Sequence, residues 1–111
     1  MNRVKFLIDD IQVFLLSFDD KTVARILNSL ELLDELGEQI RPPRSKKIAK
    51  NIYELRIISN LSVRILYTFD KDNIWILHAF VKKSQKMPKK ELEKAIHRLK
   101  HLHQDSIYAI I

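Results

Sequence analysis

The chain has 111 residues, with no cysteine, one glycine and three prolines. Without cysteine there is neither a disulfide framework nor a thiolate metal site, which suits a reducing compartment, the cytoplasm. A single glycine rules out a glycine-rich phosphate-binding loop. No apolar run reaches the ~20 residues that a bilayer-spanning helix needs. The opening MNRVKFLIDD also lacks the apolar stretch and small-residue cleavage site of a secretory leader. No membrane association is expected.

What is present reads as a globular domain. Apolar residues make up 46% and charged residues 31%, and the length suits one modest hydrophobic core, so 1–111 is read as a single domain. The net charge of +6 is unevenly spread. Residues 1–38 carry four basic against eight acidic side chains, a net of −4; residues 39–111 carry sixteen against six, a net of +10. Such a split fits a polyanion-binding half, nucleic acid being the commonest such partner, or a lysine-rich surface that keeps the protein soluble.

Val4 to Ile8 fits a first strand, and 11-IQVFLLSF-18 is too apolar for a free loop and fits a short helix. A longer helix follows, with Asp19 or Asp20 as N-cap, Val23, Ile26, Leu27, Leu30 and Leu33 at helical spacing, and Gly37 as the stop. The prolines of 38-EQIRPPRSKK-47 mark a loop. Three strands are expected over roughly 51–58, 61–69 and 73–81, joined by the turns 59-SN-60 and 70-DKDN-73 and forming an antiparallel meander. Pro88 then suits the first turn of a last helix with Leu92, Ala95, Ile96, Leu99 and Leu102 as its buried stripe. The tail 105-DSIYAII-111 is apolar enough to dock. The order β-α-α-β-β-β-α gives an α+β domain: a small, mostly antiparallel twisted sheet with helices packed on one face.

Period-two alternation puts Tyr53, Leu55, Ile57, Val63, Ile65, Tyr67, Phe69, Ile74, Ile76, His78 and Phe80 on one face, the core face. The other face collects Glu54, Arg56, Ile58, Ser62, Arg64, Leu66, Thr68, Trp75, Leu77, Ala79 and Val81. Arginine is rarely set mid-strand without a partner or a task. A turn over Ser59–Leu61 would oppose Arg56 and Arg64, two like charges that repel across strands, whereas a two-residue turn would put them on opposite faces. Either salt bridges, with Glu54 as one partner, or a bound phosphate would offset that repulsion. By parity Lys83 continues the arginine face and Lys82 leans away from it.

The run 52-IYELRI-57, then 64-RILYTFD-70, then 77-LHAFVKKSQKMPKKELEKAIHRLK-100 resembles HigB-like toxins of the RelE/ParE superfamily, in its phage-derived branch. The likeness covers about residues 3–102 and is strongest over 52–100. It implies a RelE-like fold and the toxin of a toxin–antitoxin pair. Such a toxin is a metal-independent, cofactor-free endoribonuclease that cuts mRNA on the ribosome, by attack of a ribose 2′-OH on the adjacent phosphate, and so arrests growth. That chemistry needs positive charge around a pentacoordinate phosphate. The resemblance assigns Arg56, Arg64, Lys82 and Lys83 to the catalytic face, while Lys46, Lys47, Lys50 and Lys86 would hold the RNA or ribosome backbone. It also implies a cognate antitoxin, a small helix-turn-helix protein. Where such nucleases carry a late tyrosine or histidine, 86-KMPKK-90 has neither. Two other functions share the fold or the charge: a non-catalytic toxin that poisons a protein such as gyrase, and a basic RNA-binding module.

Other constellations have simpler readings. His78 reads as a hydrogen-bonded core histidine, and His97 with His101 as a solvated helix face without further ligands in register. Asp9, Asp10, Asp19 and Asp20 fit strand ends and helix caps.

Overall fold

The computed structural model describes residues 1–110, with side chains as far as His103. The tail side chains expected to dock (Ile107, Tyr108, Ile110 and Ile111) lie outside the described residues. Strand β1 (Val4–Phe6) leads into α1 (Asp9–Leu15) and α2 (Asp20–Leu36), and a 3-10 turn over Gly37–Gln39 follows. Strands β2 (Ser45–Ala49), β3 (Ile52–Ile58), β4 (Ser62–Asp70) and β5 (Asn73–Val81) precede the last helix, α3 (Lys89–Ile110). The sheet order is β1-β5-β4-β3-β2, antiparallel throughout except that β1 runs parallel to β5.

The helix ends follow their local chemistry. The Asp19 side chain accepts from Thr22 N at 3.1 Å and caps α2. Gly37 ends the helix at φ +53, a left-handed value that costs glycine least. The space a Cβ would take at Gly37 is filled by the Arg3 guanidinium, which also bonds Glu38 and the Asp72 carbonyl. Asp34 accepts from the backbone N–H groups of Arg3 and Val4, so the start of the first strand is tied to α2 as well as to the sheet. The Pro88 carbonyl accepts from Glu91 N and Leu92 N, and the proline therefore flanks α3 as its cap.

The expected loop 38–47 ends earlier than its prolines suggested. From Ser45 the chain forms β2, whose lysines give a charged edge to the sheet. Nothing in SKKIA alternates in the way a half-buried strand does, so the pairing with β3 alone makes it a strand.

Two cores sandwich the sheet. Helices α1 and α2 bury Ile11, Leu15, Ile26, Leu30 and Leu33 against Leu55, Ile57, Val63, Ile65, Ile74 and Ile76. Each such aliphatic side chain contributes ~1.5–3 kcal/mol by leaving water. Leu27, expected in this stripe, is 42% exposed. Helix α3 packs Ala95, Leu99 and Leu102 on the opposite face, against Ile52, Leu66, Leu77 and Phe80. Grouping of helices on one face thus holds for α1 and α2, while α3 covers the other.

The face assignment read from alternation holds along β3 and β4 and fails partway along β5. Leu66 pairs with His78, but Tyr67 pairs with Ile76, so Leu77 is an extra residue in β5. This β-bulge reverses the parity of everything after it. His78 and Phe80 therefore move to the arginine face, and Ala79 joins the α1–α2 core.

Candidate nucleic-acid interface

The β3–β4 turn sets the site. Ile58 pairs with Ser62 across the three residues Ser59–Leu61, and Ser59 N bonds the Leu61 carbonyl at 3.1 Å. That length places Arg56 directly opposite Arg64. One step further along the same face, Glu54 pairs with Leu66 on one side and with Lys46 on the other.

Glu54 is fully buried, with Oε1 3.6 Å from Arg56 Nε and Oε2 3.6 Å from Arg64 Nε. These are ion-pair distances beyond hydrogen-bond reach, and none of the four atoms has a hydrogen-bond partner. One carboxylate beneath two guanidinium groups offsets only half of their charge. Arg64 is held from below: its side chain is 6% exposed, and NH1 donates to Ser62 Oγ at 2.7 Å and to the Val63 carbonyl at 3.3 Å. Burial pulls its pKa down, Glu54 pushes it back up, and Arg56 lowers it again. Arg56, at 34% exposure, is the arginine that meets solvent.

The bulge in β5 carries through to the lysines. Lys82, not Lys83, continues the parity of His78 and Phe80, and its N–H bonds the Ser62 carbonyl at 2.8 Å. Lys82 is half-buried and its pKa is lowered, first by desolvation and then by Arg64, Lys46 and Arg56, against a raising effect of Glu54. The parity expectation that Lys82 leans away is corrected for this reason. Lys83 is exposed, yet it lines the same depression. Arg56, Ser62, Arg64, Lys82, Lys83, Ser84 and Gln85 enclose about 380 Å³ of open, polar space. All four residues assigned to the catalytic face thus converge, four cations above a single carboxylate.

The four outer lysines do not form one patch. Lys46 lies on the arginine face opposite Glu54. Lys47 pairs with Tyr53, and both lysines border a second depression with Tyr53, Tyr67 and Phe69. Lys50 sits in the β2–β3 turn, at the far end of β3 from Arg56, and Lys86 is exposed in the segment between β5 and α3.

His78 is buried, as expected, but on the arginine face. Arg98 NH1 approaches its Nδ1 at 3.1 Å, and Nε2 lies 3.1 Å from Glu91 Oε1. Arginine can only donate, so Nδ1 accepts and Nε2 carries the proton given to Glu91. Desolvation, outweighing the effect of Glu91, holds the His78 pKa below its ordinary value. The neutral ring, stacked on Phe80 at 5.7 Å, links β5 to α3. His97 and His101 meet each other on the exposed side of α3.

Alternation named Glu54 only as a possible salt-bridge partner, did not single out Ser62 as a neighbour of Arg64, and turned Lys82 away from the face on which the resemblance had placed it. Ser62 was legible in principle, two residues before Arg64 on its own face. The placement of Lys82 depended on a bulge without a sequence signal.

A family model described as phage derived protein Gp49-like (DUF891) matches residues 13–100, a span that holds all eight candidate residues. No curated protein matches the chain. The chain belongs to the phage-derived Gp49-like family, within the RelE/HigB toxin-like superfamily.

Proposed function

We propose that the chain is a HigB-like toxin, an endoribonuclease that cuts mRNA on the ribosome and thereby arrests translation. The observation that carries this reading is the surplus of charge in the depression: Arg56, Arg64, Lys82 and Lys83 face one another over a single buried carboxylate. A phosphodiester seated there offsets that surplus. In the reaction the 2′-OH attacks the neighbouring phosphorus and loses its proton, the 5′ oxygen leaves and gains one, and a 2′,3′-cyclic phosphate remains. Charge on the equatorial oxygens peaks at the pentacoordinate stage, where fixed cations stabilise it most. Arg56 and Lys83 are open enough to touch those oxygens, and Arg64 adds its field from beneath. Lys82 lines the same depression and its pKa is drawn below the ordinary lysine value by desolvation, which makes it the side chain we assign to proton transfer.

Such a toxin is held silent by a cognate antitoxin, a small helix-turn-helix protein. Val13 and Phe14 on α1, Leu16 just past its end and Leu27 on α2 are exposed and apolar, which favours docking there over neutralisation of the arginines.

The decisive experiment adds purified protein to ribosomes translating a defined mRNA and maps the new 5′ ends. Cleavage inside the translated frame, leaving cyclic phosphate and reduced in Lys82→Met, is the expected result. Growth arrest with intact mRNA would overturn the reading and favour a toxin that poisons a protein. Binding without cleavage or arrest would leave only an RNA-binding module.

A further inference from the structure

We propose that the RNA strand does not end at Arg56 but continues past it into a second phosphate subsite, formed by Arg25 and Arg44 with Asn28 and Ser29. This rests on the reading of the first depression as an RNA site. This subsite is a depression of about 420 Å³, distinct from the one beside Tyr53 and Tyr67, and is lined by these four residues together with Arg56, Ile57 and Ile58. Arg56 borders both depressions, so the two are continuous across a single side chain.

The cations there are placed and unspent. Arg25 NH1 donates to the Ile58 carbonyl at 2.5 Å, which fixes the guanidinium over the end of β3 and leaves its other N–H groups available. The Arg44 carbonyl accepts from Arg56 N at 2.8 Å, so the two arginines sit side by side on adjacent segments, just before β2 and in β3. Among the described residues neither Arg25 nor Arg44 pairs with a carboxylate, and no carboxylate lines the depression. Arg25 is one of only four basic residues in an otherwise acidic first third of the chain. Asn28 and Ser29 offer neutral donors and acceptors suited to a ribose hydroxyl or a phosphate oxygen. Ile58, 63% exposed at the rim, gives an apolar surface on which a sugar or base can pack. Charge, neutral hydrogen-bonding groups and an apolar rim together fit a single-stranded backbone.

The test measures binding of non-cleavable, 2′-O-methylated RNA to the full chain, for a trinucleotide and for an oligonucleotide of about nine residues. The wild type is expected to hold the longer RNA more tightly and with a steeper salt dependence. Arg25→Gln combined with Arg44→Gln should weaken the longer RNA roughly ten-fold at moderate salt and reduce its salt slope by about 1.4, leaving the trinucleotide unchanged. Arg44→Gln alone, which leaves the Arg25 bond to β3 intact, should reduce the slope by about 0.7. Unchanged binding of the longer RNA, or equal losses for both lengths, overturns the subsite; so does weaker ribosome association with oligonucleotide binding intact, which would assign the arginines to ribosomal RNA. A wild type that binds neither RNA overturns the subsite together with the RNA-site reading. Length-dependent binding lost in the variants, without ribosomal cleavage, sustains the subsite and removes the nuclease.

Discussion

The face of the sheet beneath α1 and α2 buries Leu55, Ile57, Val63, Ile65, Ile74 and Ile76, and its buried polar groups are paired: Ser45 with Tyr67, Thr22 with Ser59. The opposite face buries Glu54, Arg64, Thr68 and His78 among Leu66, Leu77 and Phe80. Helix α3 closes the part around His78 and leaves the Arg56 end open. The first face obeys the rule that interiors are apolar and satisfied. The second holds ion pairs whose buried nitrogens and oxygens lack hydrogen bonds. The proposed RNA phosphate would account for this departure of one face from the other, because functional sites tolerate strain that cores do not.

Glu54→Gln strikes at this contrast hardest. It leaves Arg64 buried beside a neutral amide, and the unpaired buried charge should cost ~3–5 kcal/mol in urea unfolding. The same change removes the one negative charge under the depression, so affinity for RNA phosphate should rise at equal salt. A variant that loses stability without gaining affinity would make Glu54 a purely structural residue.

Arg56→Ala should lower the mRNA cleavage rate by ~10²–10³ while the half-exposed position keeps the stability change small. Measured rates close to wild type in the folded variant would remove Arg56 from the reaction. On the dry face, Ile65→Val deletes one methylene from a fully buried side chain. It should cost ~1 kcal/mol in unfolding and nothing in cleavage by the folded molecule. An effect on cleavage would show that the two faces are coupled through the shared strand.

The smallest expected effect concerns pH. His78 has a folded pKa below its ordinary value of 6.5, so the unfolded chain binds the proton more readily. Its contribution is therefore fully present above pH 6.5 and is lost as pH falls through the folded value. The groups around the ring are Glu91, Arg98 and Lys94, and protonation of Nδ1 would displace the Arg98 donor. Stability of His78→Gln should change less than that of the wild type as pH drops below 6.5. Parallel pH profiles would place the His78–Arg98 link outside the acid response.

Much of this was legible in the chain itself. Asp19 and Gly37 announce the ends of α2, because a side-chain acceptor and a left-handed residue solve local problems. Alternation along 52–58 and 62–70 assigned both faces of β3 and β4 without error. The opposition of Arg56 and Arg64 was legible only as one of two registers, since turn length sets register, and the structure takes the one with three residues, Ser59–Leu61, in the turn. These are short-range effects, carried by neighbouring residues.

What lay beyond the sequence depended on partners distant in the chain. SKKIA becomes a strand only because β3 offers it an edge. The bulge at Leu77 hides in the run WILHAFV, where nearly every residue is apolar and no period can be read. That extra residue turns His78, Phe80 and Lys82 toward the arginines, and the position of α3 decides how much of their face stays open. The sequence determined which cations the protein has and which strands carry them; the tertiary structure alone decided which of them share one depression over Glu54, because facing depends on pairing across strands and pairing is settled by the whole sheet.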